Sequence, residues 1–164
     1  MIERFMGMFG PKGVPTARPE TSAGVPGIET AETNEQADMW ATLESWAAEF
    51  GMKPEYVRER FKVDAQGKVV APDDLKLIGL KDAVATLPLI QEVRGTMDIS
   101  QSDPDSFHML PRRIGGDLVF FHNKLTSLDG LEGMSVGGKL KGFTKAQSAL
   151  AQQAKERGFD VEMP

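Results

Sequence analysis

Apolar side chains return at a fixed interval through the second half of this chain. Leu75, Met97, Leu118, Leu140 and Val161 stand 22, 21, 22 and 21 residues apart, each in a short stretch that reads as extended. Such stretches predict strands with successive side chains on opposite faces. The constant interval predicts one structural unit repeated, because a unit too small to bury its apolar side alone must stack on a copy of itself. The clearest unit begins at Ile114 and reads I-G-G-D-L-V-F-F-H-N-K-L-T-S-L-D-G-L. In it Leu118 and Phe120 point inward, Asn123 sits where the chain turns, and Leu125, Leu128 and Leu131 line the returning limb. An Asn amide at such a turn offers donors and an acceptor to the backbone of neighbouring coils.

The other units repeat this plan with substitutions. Val136 opens V-G-G-K-L-K-G-F-T-K, with Gly142 in place of Phe120 and Lys145 in place of Asn123. Val93 opens V-R-G-T-M-D-I-S-Q-S, with Met97 and Ile99 inward, Ser102 at the Asn position, and extra residues before Phe107. Leu75 and Leu77 start the series and Val161 ends it, giving four or five coils. Glycines at 95, 116 and 138 fit a bend in which a side chain would crowd the next coil. The spacing L-x-L-x-x-N-x-L-x-x-L, carried by Leu118, Phe120, Asn123, Leu125 and Leu128 with Phe for one Leu, resembles the leucine-rich repeat family. The resemblance is specific in this unit, residues 114–131. It implies a parallel sheet that binds a protein partner.

Ahead of the repeats, residues 33–70 read as a cap. T-N-E-Q predicts a capping box from Thr33 to Gln36, and Met39, Leu43, Trp46 and Phe50 form an apolar helical stripe that stops at Gly51. Pro54 opens a second helix carrying Tyr56, Val57 and Phe61. A β-hairpin follows, with Lys62-Val63 and Lys68-Val69-Val70 around D-A-Q-G. Repeat stacks need such covers over their open ends. At the far end the alanine-rich run from Thr144 predicts a helix stopped by Gly158, with Ala146, Leu150 and Ala154 on the last coil. A strand around Val161 closes the sheet.

Residues 46–61 also support a reading from another class. Ala47, Gly51 and Val57 have the spacing of a helix-turn-helix, with the hairpin as a wing and Lys53, Arg58 and Arg60 toward nucleic acid. Glu55 and Glu59 on the same helix, Arg at position 60 where the motif wants an apolar residue, and a net charge of −5 oppose it.

Composition narrows the rest. Apolar residues make up 40% of the 164, enough for one core, and no apolar run approaches the roughly 20 residues that span a bilayer. The absence of cysteine excludes disulfides and fits a reducing compartment. Residues 1–32, rich in Pro and Gly, are expected to be disordered, because they cannot bury enough surface to offset lost entropy. Ile2, Phe5, Met6 and Phe9 fall at helical spacing, too short a run for a secretory signal. The chain is expected in the cytoplasm, with export through an unfolded amino terminus as the alternative route.

Chemistry-bearing clusters are sparse. His108 and His122, with Asp103, Asp105 or Asp117, form a workable ligand set but lack the spacing of a metal helix. Glycine pairs at 115 and 116 and at 137 and 138 precede strands, unlike phosphate loops. The expected fold is therefore α/β: a short leucine-rich-repeat-like solenoid over residues 71–164 with a parallel sheet, an N-terminal helical and hairpin cap, and a C-terminal helix. Outward strand positions assign a partner face to Asp98, Asp117, Val119, Phe121, His122, Lys139, Lys141 and Phe143. The expectation is a monomeric, non-enzymatic module without cofactor that binds an unidentified protein partner, with nucleic acid disfavoured.

Overall fold

The structure, a computed structural model, describes residues 32–88 and 90–164. The disordered segment expected at 1–32 thus falls, but for Glu32, outside the described residues. Helix α1 (Asn34–Glu49) begins at Thr33, whose hydroxyl oxygen accepts from Gln36 N at 3.2 Å. The capping box is only half formed. Gln36 Nε2 donates instead to Val63 O at 2.6 Å, and Thr33 Oγ1 donates to Ala65 O at 2.6 Å, so the start of the helix is stapled to the following hairpin. The buried face is Trp40, Leu43, Trp46 and Ala47, so Leu43 and Trp46 of the expected stripe are kept while Met39 and Phe50 lie at its margins. Gly51, at φ 74, ends the helix.

Helix α2 (Pro54–Arg60) buries Val57, with Phe61 beyond its end, and leads into the antiparallel hairpin β1 (Lys62–Val63) and β2 (Val69–Ala71). The Asp64 carboxylate closes that turn by accepting from Gln66 N and Lys68 N, both at 2.9 Å. From here the chain alternates between two sheets. Strands β3 (Leu75–Lys76), β5 (Met97–Asp98), β7 (Leu118–Val119), β9 (Lys139–Lys141) and β10 (Asp160–Val161) form one, and β1, β2, β4 (Glu92–Val93), β6 (Arg113–Ile114) and β8 (Ser135–Val136) the other. All neighbours except β1 and β2 run parallel.

The apolar ladder lies in register across the first sheet: Leu75 pairs with Met97, Met97 with Leu118, Leu118 with Leu140, and Leu140 with Val161. All five side chains are buried. The second sheet carries a ladder of its own, Ala71, Val93, Ile114 and Val136. Those residues read in the sequence as lead-ins to a single strand per unit. Each unit in fact contributes two strands separated by two or three residues, and hydrogen bonding runs through the corner: Gly116 N donates to Gly95 O and Gly138 N to Gly116 O, both at 2.9 Å.

One side chain per unit fixes that corner. Asp74 Oδ1 accepts from Thr96 N at 2.8 Å, Thr96 Oγ1 from Asp117 N at 3.3 Å, and Asp117 Oδ1 from Lys139 N at 2.8 Å. Each acceptor lies directly under the glycine that precedes its donor. A Cβ at Gly95 or Gly138 would collide with the carboxylate of Asp74 or Asp117, and one at Gly116 would stand 2.8 Å from Thr96 Oγ1. These glycines are demanded by proximity between successive passes of the chain.

The return limbs supply the rest of the core, with Phe107, Leu110, Leu125, Leu128 and Leu131 buried. A short helix the sequence did not announce, α3 (Lys81–Ala85), occupies the first limb, and Trp46 Nε1 donates to its Ala83 O at 3.1 Å. At the far end a 3-10 turn (Lys145–Gln147) precedes α4 (Ser148–Glu156). Ala151 and Ala154 are the residues α4 buries, while Ala146 is exposed because the 3-10 turn shifts the helical phase.

Gly138→Ala is expected to lower stability by about 1–3 kcal/mol through overpacking against Asp117. The exposed Ser135→Ala should change it by less than about 0.5 kcal/mol. Urea denaturation of both variants checks the contrast.

Candidate interaction surface

The outward positions of the β3-β5-β7-β9-β10 sheet follow from its register. Lys76 lies beside Asp98, Asp98 beside Val119, and Val119 beside Lys141. Asp98 is half-buried and accepts from Ser100 N at 3.0 Å; Val119 is half-buried and Lys139 exposed. Asp117 and Lys141 are tied together by an ion pair at 2.7 Å. The Lys141 ammonium, followed by the Lys139 N–H, holds the Asp117 carboxyl below the usual carboxylate range, and Asp117 in turn raises Lys141. Both groups are thus turned toward each other along the sheet.

Phe121 is 45% exposed and His122 is exposed, with a left-handed backbone at φ 57. Gly79 and Gln101, at φ 73 and 63, hold the same place in the two preceding units, so these three units leave the sheet by the same left-handed step, which the fourth, with Thr144 extended, does not. The residue after that step closes the turn. Asn123 Nδ2 donates to Phe120 O at 2.9 Å and across to Gly142 O at 2.8 Å, while its Oδ1 accepts from Leu125 N at 3.0 Å. Ser102, its counterpart one unit earlier, donates to Leu77 O at 2.8 Å. Gln147 ends the series by donating to Asn123 Oδ1 and Leu125 O and accepting from Thr144 N.

Phe143 corrects the expected surface. It is 6% exposed and packs edge to face on Phe120, with ring centres 5.1 Å apart, and Phe120 packs likewise on Phe107 at 5.5 Å. Strand β9 ends at Lys141, and Gly142, at φ 141, lies against the Phe120 backbone with no room for a Cβ. With no side chain at 142 to match Phe120, the Phe143 ring turns inward and fills that space.

The apolar neighbour of Phe121 is instead Ile78, 46% exposed, which sequence reasoning missed. Ile78, Ser100 and Phe121 occupy one outward row, and the buried Ser100 hydroxyl oxygen accepts from Phe121 N at 3.2 Å. Two apolar ledges therefore flank a low polar floor, about two strand spacings or ~9.6 Å across. Extending the in-out alternation from Leu75 and Leu77 by one residue would have found Ile78.

Elsewhere, Arg58 bonds Glu44 at 2.7 Å and lies 4.2 Å from the centre of the Trp40 ring, and Arg60 lies 5.4 Å from that of Tyr56. Two of the three cations expected to face nucleic acid, Arg58 and Arg60, thus lie over aromatic rings of this chain. Among the described residues, no three His, Asp or Glu side chains come together as a metal site, and no helix is long and apolar enough to cross a membrane. Comparison with protein-family models, curated proteins and solved structures gives no match for this chain.

Folding lowers the Asp117 pKa, so this carboxylate stabilises the fold above the unfolded-state value and loses that contribution as pH falls through the folded one. Lys141, raised by folding, contributes below its unfolded value and ceases to as pH rises through the folded one. Carboxyl NMR titration should place the Asp117 midpoint below that of an ordinary Asp. In Lys141→Met it should move upward while staying depressed by the Lys139 N–H.

Proposed function

We infer that residues 71–164 are a short leucine-rich-repeat-like solenoid serving as a protein-protein interaction module, a cytoplasmic monomer without catalytic activity. The helical hairpin and β-hairpin of residues 33–70 cover one end and α4 with β10 the other. The single observation that carries the binding reading is the pair of exposed apolar side chains, Ile78 and Phe121, on a sheet whose inward side chains are fully buried. Aromatic and aliphatic side chains held on a rigid face, ringed by charge, are the usual anchors of a protein interface. Here the ring is Asp98, Lys139 and Lys141, with Val119 and His122 alongside. The partner would set an apolar side chain over Ser100, between the two ledges. The loss of Arg58 to Glu44 and Trp40 weighs further against the helix-turn-helix reading.

Affinity capture from the native cell with the wild-type chain and with Ile78→Ser/Phe121→Ser tests this reading. A protein retained by the wild type and lost from the variant, with thermal stability within about 0.5 kcal/mol, is the expected result. Phe143→Ala should behave differently, losing about 3–5 kcal/mol of stability because its ring is core. Equal capture by wild type and double variant would remove the Ile78–Phe121 face as the binding site.

A further inference from the structure

The other sheet has an outward face of different character. Its central row reads Lys62, Val70, Glu92, Arg113, set by the Cα register across β1, β2, β4 and β6. All four side chains are on the solvent side, Lys62 and Arg113 exposed and Val70 and Glu92 half-buried. Lys68 and Arg112 stand beside this row along a trough of about 360 Å³. Two carboxylates, Asp64 and Glu92, share the face with these cations. Asp64 closes its own turn on Gln66 N and Lys68 N, and Glu92 lies 3.8 Å from Arg94. Lys62, Lys68 and Arg113 make no ion pair among the described residues. A chain of net charge −5 thus sets five cations, Lys62, Lys68, Arg94, Arg112 and Arg113, against two carboxylates on one face.

We propose that this face binds an extended acidic peptide segment whose carboxylates are four residues apart with a neutral, apolar residue between them. The spacing follows from the register. Three strand intervals of about 4.8 Å put Lys62 and Arg113 roughly 14 Å apart, and an extended chain advancing about 3.3 Å per residue carries its i and i+4 side chains roughly 13 Å apart on one side. Residue i+2 then lies over Val70 and Glu92, where an apolar group suits the valine and a carboxylate would be repelled. Nucleic acid fits less well, since its evenly spaced phosphates would meet Glu92 midway. This proposal concerns a face on the other sheet from the Ile78–Phe121 surface and does not depend on it.

The test is an NMR titration of the full chain, labelled with nitrogen-15, by the peptide Gly-Ser-Glu-Ser-Val-Ser-Glu-Ser-Gly at low salt. Surface ion pairs are individually weak, so affinity on the order of millimolar is expected, with shifts confined to residues around Lys62, Val70 and Arg113. Arg113→Gln and Lys62→Glu/Arg113→Glu, checked for unchanged melting, should weaken binding by about threefold and at least about tenfold. A peptide with its two glutamates adjacent should bind more weakly than the spaced one. Absence of shifts at several millimolar peptide, equal binding by the charge-reversed variant, or equal binding by the adjacent-glutamate peptide would each overturn the proposal. Tighter binding of a single-stranded oligonucleotide at the same residues would overturn it in favour of a phosphate-tracking surface.

Discussion

The close approach of successive passes at Gly95, Gly116 and Gly138 is the constraint on which the rest of the repeat region depends. Hydrogen-bonded strands lie about 4.8 Å apart, and at the corner between the two sheets that distance must hold while the backbone bends. A backbone N–H at a bend normally loses its ladder partner. In this chain Asp74, Thr96 and Asp117 replace it, each reaching from one unit to the donor of the next. The acceptor can reach only if nothing projects above it, which is why a glycine precedes each donor. An Asp or Thr below and a Gly above are two halves of one interaction, and neither residue type explains itself alone.

Once the corner is fixed, the inward positions follow. Each unit presents the same two strands at the same offset, so Leu75, Met97, Leu118 and Leu140 stack as one column and Ala71, Val93, Ile114 and Val136 as another. The exits follow as well. Gly79, Gln101 and His122 share the left-handed conformation at matching places, and two of the three are not glycine, so the turn geometry is imposed by what comes after it. Asn123, with four hydrogen bonds to its own unit, the next unit and Gln147, is the most fully used of these closures. The array stops where Gln147 takes over the Asn task from a helical turn.

The period was legible in the sequence because stacking demands the same side-chain type at the same depth in every unit, and that requirement survives substitution of Leu by Met or Val. The corner glycines were legible for a similar reason. What was not legible depended on exchanges between neighbours. Nothing in V-G-G-K-L-K-G-F says that Phe143 fills the space left by Gly142; the ring's destination is decided by Phe120 one unit earlier. Gln36 left its expected capping task because Val63 O offered a partner that only the folded hairpin presents. The second sheet was missed because β4, β6 and β8 each carry one inward residue with no second to alternate with, whereas Leu77, Ile99 and Phe120 continue the first sheet's pattern, and α3 because five residues span barely a turn and a half. Of the eight residues assigned to the partner face, Phe143 alone is turned into the core. The exposed apolar ledge at the other end of the row, Ile78, replaces it.

Strands this short separate the demands of folding from those of recognition. A strand of two or three residues offers at most one or two outward side chains per unit, and these point away from the inward columns. Substituting them disturbs no inward column. The outward rows are therefore free to differ from unit to unit in a way the inward ones are not, and they do: Lys76, Asp98, Val119 and Lys141 share one row without a common chemistry, while their inward neighbours are uniformly apolar. A large aromatic side chain left in solvent on such a row is not there to satisfy the stack. Phe121 contributes to the fold through its backbone N–H, bonded to Ser100, which any residue but proline would supply. Its ring is the part of the residue that the architecture does not require, and that is the physical ground of the proposal that it meets a partner.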